Sequence, residues 1–340
     1  MTERQYAAAG VDLEALDSAK RRIANAAAST RTPLSHGLVG AFGGMIRMPA
    51  GLQQPVLVMS TDSVGTKVLV ARMAGVFDTV GEDIVNHSVN DILVHGARGI
   101  AFQDYIGSNG LSEDQLADLV EGVARGCRAH GMALTGGETA SLPDIYAPGD
   151  YDLAGTIVGV VEESAALHGD RIAPGDVLIG YRSSGLHTNG YSLARKICFD
   201  RLKLSVDSQV SELGTTVGEA LLAVHRSYVD AILPVLDSIH GIAHITGGGI
   251  AGNLVRVLPS QVEAVIDAGS WQWPSLFTFL MEGGRVSVDE MRDVFNLGVG
   301  LLTAVPPDAV ERVRARAGAV NIETWIAGDI RAGQRGVRFT

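Results

Sequence analysis

Pro55-Val56-Leu57-Val58-Met59-Ser60-Thr61-Asp62-Ser63-Val64-Gly65-Thr66-Lys67 decides the fold class. Pro55 to Ser60 is a short apolar run, which predicts a strand ending on Thr61 and Asp62. A polar turn with a glycine follows, at the place where α/β proteins present ligand-binding groups. Asp62 offers a hard oxygen to Mg²⁺, which keeps several waters and takes only one or two protein carboxylates. Gly65 admits a close approach of backbone to phosphate. Thr66 adds a hydroxyl and Lys67 a point charge. The GxxxxGK[ST] spacing of a P-loop is absent, and a plain strand-to-helix turn capped by Asp62 is the competing interpretation.

Working outward, the period changes from strand to helix. From Thr79 to Gly96, Val80, Ile84, Val85, Val89, Ile92 and Leu93 cover one face at helical spacing. Asp83, His87, Asn90 and Asp91 form a polar stripe opposite, which a solvated face would also explain. Asp91 is the natural second carboxylate for a metal anchored by Asp62. Ile100 to Ile106 predicts a strand and Ser112 to His130 a helix N-capped by Ser112. Ala133 to Thr135 is a short strand ending in Gly136-Gly137-Glu138-Thr139, which reads as a close-approach turn with Glu138 as a third acid. Asp152 to Val161 closes a first lobe.

Glu162 to Gly175, with charge, Gly and Pro, is the candidate linker, dividing the chain into lobes 1–165 and 170–340. A second alternation follows, from a strand at Asp176 to Tyr181 to an edge strand at Gln334 to Thr340. It includes a helix over Tyr191 to Phe199 and two helices over Gly218 to Ile239, with Pro234 as a kink. The mixture predicts an α/β (α+β) protein of two lobes, neither a bundle nor a sandwich of sheets alone.

Composition agrees. A length of 340 residues favours two lobes, and 46% hydrophobic against 19% charged residues supplies large cores. Glycine accounts for 42 residues, gathered in turns beside polar groups. The net charge of −11 argues against nucleic-acid binding, which needs basic surface. It leaves room for a phosphate-bearing small molecule held by backbone N–H groups and a cation. Cys127 and Cys198 lack CxxC spacing. The N-terminus lacks a secretory pattern and no run is apolar enough to span a membrane, so a cytoplasmic protein is expected.

The second lobe carries Ser183-Ser184-Gly185-Leu186-His187-Thr188-Asn189-Gly190 between a strand and a helix. Hydroxyls, an amide and glycines there suit an anion, and His187 is the histidine best placed to move a proton. His244-Ile245-Thr246-Gly247-Gly248-Gly249 is another anion-binding candidate. Asn296 to Gly300 is a further stretch of close backbone. No Ser/His/Asp spacing points to a hydrolase.

In the order of these motifs the chain resembles the phosphoribosylformylglycinamidine cyclo-ligase (aminoimidazole ribonucleotide synthetase) family over nearly its whole length. The resemblance rests on Tyr6 to Asp12, Gly40 to Gly44, Thr61 to Lys67, Val89-Asn90-Asp91, Gly136 to Thr139 and Tyr151 to Gly155. It continues through Ser183 to Ser192, Thr246 to Gly249, Ser270-Trp271-Gln272-Trp273-Pro274 and Phe295 to Gly300. It implies an N-terminal lobe that dimerises through a shared β-barrel and a C-terminal α/β sandwich lobe. It further implies ATP-driven phosphorylation of the formyl oxygen of formylglycinamidine ribonucleotide, ring closure, and release of phosphate.

On that resemblance Asp62, Asp91 and Glu138 hold Mg²⁺. Gly65, Thr66, Lys67, Asn90, Gly136, Gly137 and Thr139 join them around ATP. Gly43, Gly44, Ser184, Thr188, Asn189, Thr246, Gly247 and Gly248 contact the ribonucleotide, while His187, Asp91 and Lys67 take part in the chemistry. Ser63 replaces a glycine common in the family, Thr188 a serine, and Ala24 a lysine. Within the same superfamily, a thiamine-phosphate kinase-like enzyme or a non-catalytic nucleotide-binding relative are the alternatives.

Overall fold

The structure is a computed structural model that describes residues 13–37 and 42–340, with side chains in the first helix from Arg21 on. The Tyr6 to Asp12 motif and Gly40 lie outside the described residues. The first lobe contains helix α1 (Leu13–Ser29), strand β1 (Pro55–Ser63), and helices α2 (Lys67–Ala74) and α3 (Asp78–Leu93). Strand β2 (Arg98–Ser108), helix α4 (Glu113–Ala129), and strands β3 (Ala133–Ser141) and β4 (Tyr151–Glu162) complete it. The sheet order is β1-β4-β2-β3. Pairs β1–β4 and β4–β2 are antiparallel, and β2–β3 is parallel.

Helices α3 and α4 cover one face of this sheet. Their backbones touch at two glycines. A Cβ on Gly81 would stand 2.1 Å from the Leu119 carbonyl oxygen, and one on Gly122 would stand 1.9 Å from that of Asp78. Any larger residue at either position forces the helices apart. Ser112 caps α4 in a full capping box with Gln115, which satisfies two otherwise orphaned helix-end groups.

The second lobe is built on β5 (Val177–Arg182), β6 (Gly241–His244), β7 (Val262–Ile266), β8 (Val299–Val305), β9 (Thr324–Ala332) and β10 (Gly336–Phe339), in the order β6-β8-β5-β9-β7-β10. The C-terminal strand is at the sheet edge, parallel to β7. Three expected elements differ. The helix at Tyr191 turns into a π-helix over Lys196–Arg201. The stretch before Ile239 breaks into Val217–Leu222, Val229–Ile232 and a 3₁₀ segment Leu233–Ser238 that begins around Pro234. Strand β3 runs six residues beyond Thr135.

One hydrophobic core crosses from lobe to lobe. Val64, Val68, Ile84 and Phe102 of the first share it with Leu186, Tyr191, Phe277 and Phe295 of the second. The lobes are therefore packed together as parts of one interior.

Candidate functional site

The polar stripe of α3 is the wall between the lobes. Asp83 and Asn90 are fully buried and His87 almost so, which overturns the solvated-face interpretation. Each group is answered from the second lobe. The Asn90 amide donates to the Arg226 carbonyl at 2.8 Å and accepts the Tyr228 N–H at 3.0 Å. Both ends are spent on holding that loop, so Asn90 is a structural joint rather than the nucleotide contact expected.

Lys67 is the second correction. Its side chain has no exposed surface, and Nζ lies 2.7 Å from Asp83 Oδ2, which is equally buried. Nζ also donates to the carbonyls of Ala223 at 2.8 Å and His187 at 3.3 Å. Burial pushes the Lys67 pKa down and that of Asp83 up, and the contact between them opposes both shifts. The ammonium faces inward because Lys67 opens α2 on its buried side. It clamps two second-lobe loops and is not presented to phosphate.

Asp62 and Asp91 do converge. Asp62 stands near the end of β1 on the face toward α3, and Asp91 on α3 looks back at it. His87 Nε2 lies between, 3.0 Å from Asp62 Oδ2 and 3.4 Å from Asp91 Oδ2. Asp91 also accepts from Ser60 Oγ at 3.2 Å and pairs with His244 Nδ1 at 2.8 Å. Burial disfavours the imidazolium of His87, but the two carboxylates outweigh it and raise its pKa to about 9. Burial works against charge on Asp91 too, yet the two histidines hold it below the usual carboxylate range. The hydrogen bond with His87 lowers Asp62. Asp62 keeps 46% of its side chain exposed and Asp91 23%. Two ionised, part-exposed carboxylates, both within 3.4 Å of one nitrogen, offer the hard oxygens that a hydrated Mg²⁺ takes.

Glu138 does not join them. Gly136 to Thr139 are part of β3 rather than a turn, because they pair with Gln103 to Ile106 of β2. Asp62, Gly155, Asp104 and Gly137 form one row across the sheet, and Ser63, Ala154, Tyr105 and Glu138 form the next. Adjacent rows point to opposite faces. Glu138 is thus exposed on the face away from α3 and three strand spacings from Asp62, roughly 14 Å. Gly44 packs against Thr135 at that same far edge. Asp104, in Asp62's row, is a buried carboxyl whose pKa burial raises to about 7.

Val64 to Thr66 form the turn proper, with Gly65 at φ +66° and Thr66 Oγ1 3.3 Å from Ser192 Oγ of the second lobe. The Ser183–Asn189 loop closes over α3. His187 has φ +62° and is fully buried. Its Nε2 accepts the Ser184 N–H at 3.2 Å, and its Nδ1 has no partner. Burial holds its pKa well below the ordinary histidine value, so the ring is neutral. It stacks on His225 at 3.9 Å and so faces the seam. Ser184 Oγ donates to the Val224 carbonyl at 2.5 Å. Thr188 Oγ1 is 2.6 Å from His87 Nδ1 and 3.4 Å from His225 Nδ1.

The two second-lobe loops meet where a Cβ on Gly247 would stand 3.3 Å from Asn189 Oδ1. Asn189 Nδ2 is buried there without a partner. Thr246 Oγ1 is turned away to Asn253 Oδ1 at 3.0 Å, whose amide also gathers the carbonyls of Thr246, Gly247 and Gly249. Gly248 and Gly249 both have positive φ. His225 escaped sequence reasoning because Val224-His225-Arg226 carries no glycine, strand end or helical period. His244 was visible only as the residue before a glycine turn.

Family models fit both lobes. The "AIR synthase related protein, N-terminal domain" matches residues 44–161, and the corresponding C-terminal domain matches 173–339. A phosphoribosylformylglycinamidine cyclo-ligase of Sorangium cellulosum (strain So ce56) is 48% identical over 329 residues, covering 96% of this chain and 94% of the relative. Among solved structures, thiamine-monophosphate kinase from Stenotrophomonas maltophilia K279a superposes with a TM-score of 0.69 at 18% identity, covering 97% of this chain and 96% of the other. The hydrogenase maturation protein HypE in complex with ATP gives 0.64 at 19%, covering 92% and 88%. These two share the fold, while sequence identity singles out the first relative's kind. The chain belongs to the phosphoribosylformylglycinamidine cyclo-ligase family.

Proposed function

We propose that the chain closes the imidazole ring of aminoimidazole ribonucleotide from formylglycinamidine ribonucleotide at the expense of ATP, in purine biosynthesis, in the cytoplasm. One observation carries the site assignment: Asp62 and Asp91, from separate elements, present ionised oxygens beside the second-lobe loop at Thr188. Asp62 and Asp91 would hold Mg²⁺. When bound, the ion would supply positive charge to offset the negative charge that develops on the phosphoryl group. Phosphorylating the formyl oxygen converts a poor leaving group into phosphate, so the ribose-bearing nitrogen displaces it as the ring closes.

The chain's own groups bind and orient. Ser184, Thr188, Asn189, Thr246, Gly247 and Gly248 form the second-lobe side of the ribonucleotide site, and the unpartnered Asn189 amide is the donor most in need of a ligand. Gly65 and Thr66 approach the ATP phosphates. Lys67 works through the loops it clamps. Lobe boundaries of 1–165 and 170–340 accompany this assignment.

A homodimer is part of the proposal. The outer face of the first sheet leaves Leu57, Met59 and Tyr105 exposed, beyond what a lone sheet face gains by being wet. A second copy laid on that face would cover them as a shared barrel. It would also set Glu138, with Gly136, Gly43 and Gly44, of one chain toward the site of the other, while Gly137 and Thr139, in the alternate rows, support that strand.

The test is release of phosphate from ATP with formylglycinamidine ribonucleotide, alongside appearance of an imidazole product. Turnover with thiamine phosphate alone, or ATP binding without turnover, would overturn the assignment.

A further inference from the structure

We infer that His225 is a positioning residue, which ties the carboxylate pair of the first lobe to the Ser183–Asn189 loop of the second through a run of hydrogen bonds that an ionic contact at His87 closes into a ring. The ring runs from Asp91 Oδ1 to His244 Nδ1 at 2.8 Å, then from His244 Nε2 to His225 Nε2 at 3.1 Å. It continues from His225 Nδ1 to Thr188 Oγ1 at 3.4 Å and from Thr188 Oγ1 to His87 Nδ1 at 2.6 Å. His87 Nε2 then lies 3.4 Å from Asp91 Oδ2, an ionic contact that closes the ring.

The direction of every bond follows from one end. A carboxylate only accepts, so His244 Nδ1 carries a proton and its Nε2 a lone pair. His225 Nε2 must then donate, which leaves its Nδ1 as an acceptor for the Thr188 hydroxyl. The Thr188 oxygen is left to accept from His87 Nδ1–H. These tautomers are assigned from the network, and in it both nitrogens of His225 are used in opposite senses. A residue present for packing alone has no need of that.

His225 is also locked in place. Its backbone N–H donates to Asp83 Oδ1 at 2.7 Å and its carbonyl accepts from Asn86 Nδ2 at 2.8 Å. It is fully buried, so it acts only through its neighbours. A ligand that fixes the Thr188 hydroxyl therefore fixes the tautomer of His225, the donor facing His244, and the orientation of Asp91. Cation binding at Asp91 reports back along the same path, as linkage requires.

A metal held by the imidazoles themselves does not explain the cluster. Donor atoms of His187, His225 and His244 lie within 4.8 Å of one another. The rings of His187 and His225, however, stack with 22° between their planes. Their in-plane lone pairs run side by side instead of converging as tetrahedral ligation demands.

The inference rests on the proposed role of Asp62 and Asp91, so the test reads cation binding apart from turnover. Mn²⁺ is titrated into the full-length protein, with and without formylglycinamidine ribonucleotide. In the wild type the ribonucleotide should tighten Mn²⁺ binding. His225→Phe should weaken Mn²⁺ by about 10- to 100-fold, as loss of a group orienting a metal ligand does. His225→Gln, whose amide reaches His244 but not Thr188, should keep Mn²⁺ affinity and lose the ribonucleotide's effect. That split survives even if the Phe variant fails to fold. Mn²⁺ binding that is lost in Asp62→Asn but unchanged, effect of ribonucleotide included, in His225→Gln overturns this inference alone. Mn²⁺ binding that survives Asp62→Asn overturns the metal assignment and this inference with it.

Discussion

On one face of the first sheet the polar groups of α3 are answered by the second lobe, down to a buried Lys67–Asp83 pair. On the other face Leu57, Met59 and Tyr105 lie open, with Glu138 among them. The usual rule would place the apolar residues inside and the charged ones out. Here buried charges are closed within the chain on one side, and apolar side chains are left exposed on the other. Charges can be buried where the partner groups are fixed by the same fold, whereas exposed apolar surface is useful only if something covers it.

The largest effect should come from Asp62→Asn. Turnover should fall by at least ~100-fold, since a metal ligand is lost, while the circular dichroism spectrum and melting temperature hold. Full activity in this variant would show that the closed face is only a structural seam.

Next is the buried pair. Lys67→Met leaves Asp83 charged and unpaired, and should cost about 3–5 kcal/mol in chemical denaturation. Lys67→Met combined with Asp83→Leu should recover much of that loss, because two matched apolar groups leave no orphan charge. Equal loss in single and double variants would mean the hydrogen bonds to Ala223 and His187, rather than the charges, hold the seam.

The open face is probed by Met59→Asp. Sedimentation should show dimers giving way to monomers, and the melting temperature should move little at protein concentrations where the wild type is also monomeric. A variant that remains dimeric would place the interface elsewhere.

The last effect, seen only as a change with pH, concerns Asp104, a buried carboxyl with pKa raised to about 7. Between its unfolded value and about 7, the folded state holds a proton that the unfolded chain has lost. Its contribution to stability is therefore present in acid and lost as pH rises to about 7. Asp104→Asn has no such loss, so its melting temperature relative to wild type should climb from pH 4 to pH 8, by roughly 4–6 °C. A constant difference across that range would contradict the assignment.

The sequence made the elements legible where periodicity is strong: β1, α3 and α4, with the Ser112 cap. It also showed Asp62 and Asp91 as a pair, because a strand end and a helix stripe are local signals. Two things depended on long-range pairing. Gly136-Gly137 looks like a turn until β2 is laid beside it, and only then does the pleat assign Glu138 a face. The stripe on α3 looks solvated until the loops at Ala223 to Tyr228 arrive. Nothing near His225 announces that it will fill a gap 138 residues after His87 in a different lobe.

The core shared by the lobes has a consequence for how the chain is made. Ribosomes supply domains in order from the N-terminus, each folding as it emerges. Here the first lobe emerges with Val64, Val68 and Ile84 lacking the neighbours they meet in the second, and with Asn90 still waiting for Arg226 and Tyr228. At about 5–20 residues per second, the interval before Phe295 appears is on the order of 10–30 s. The nascent protein spends that time with apolar groups of its shared interior uncovered, so either lobe expressed by itself is expected to aggregate more readily than the whole chain.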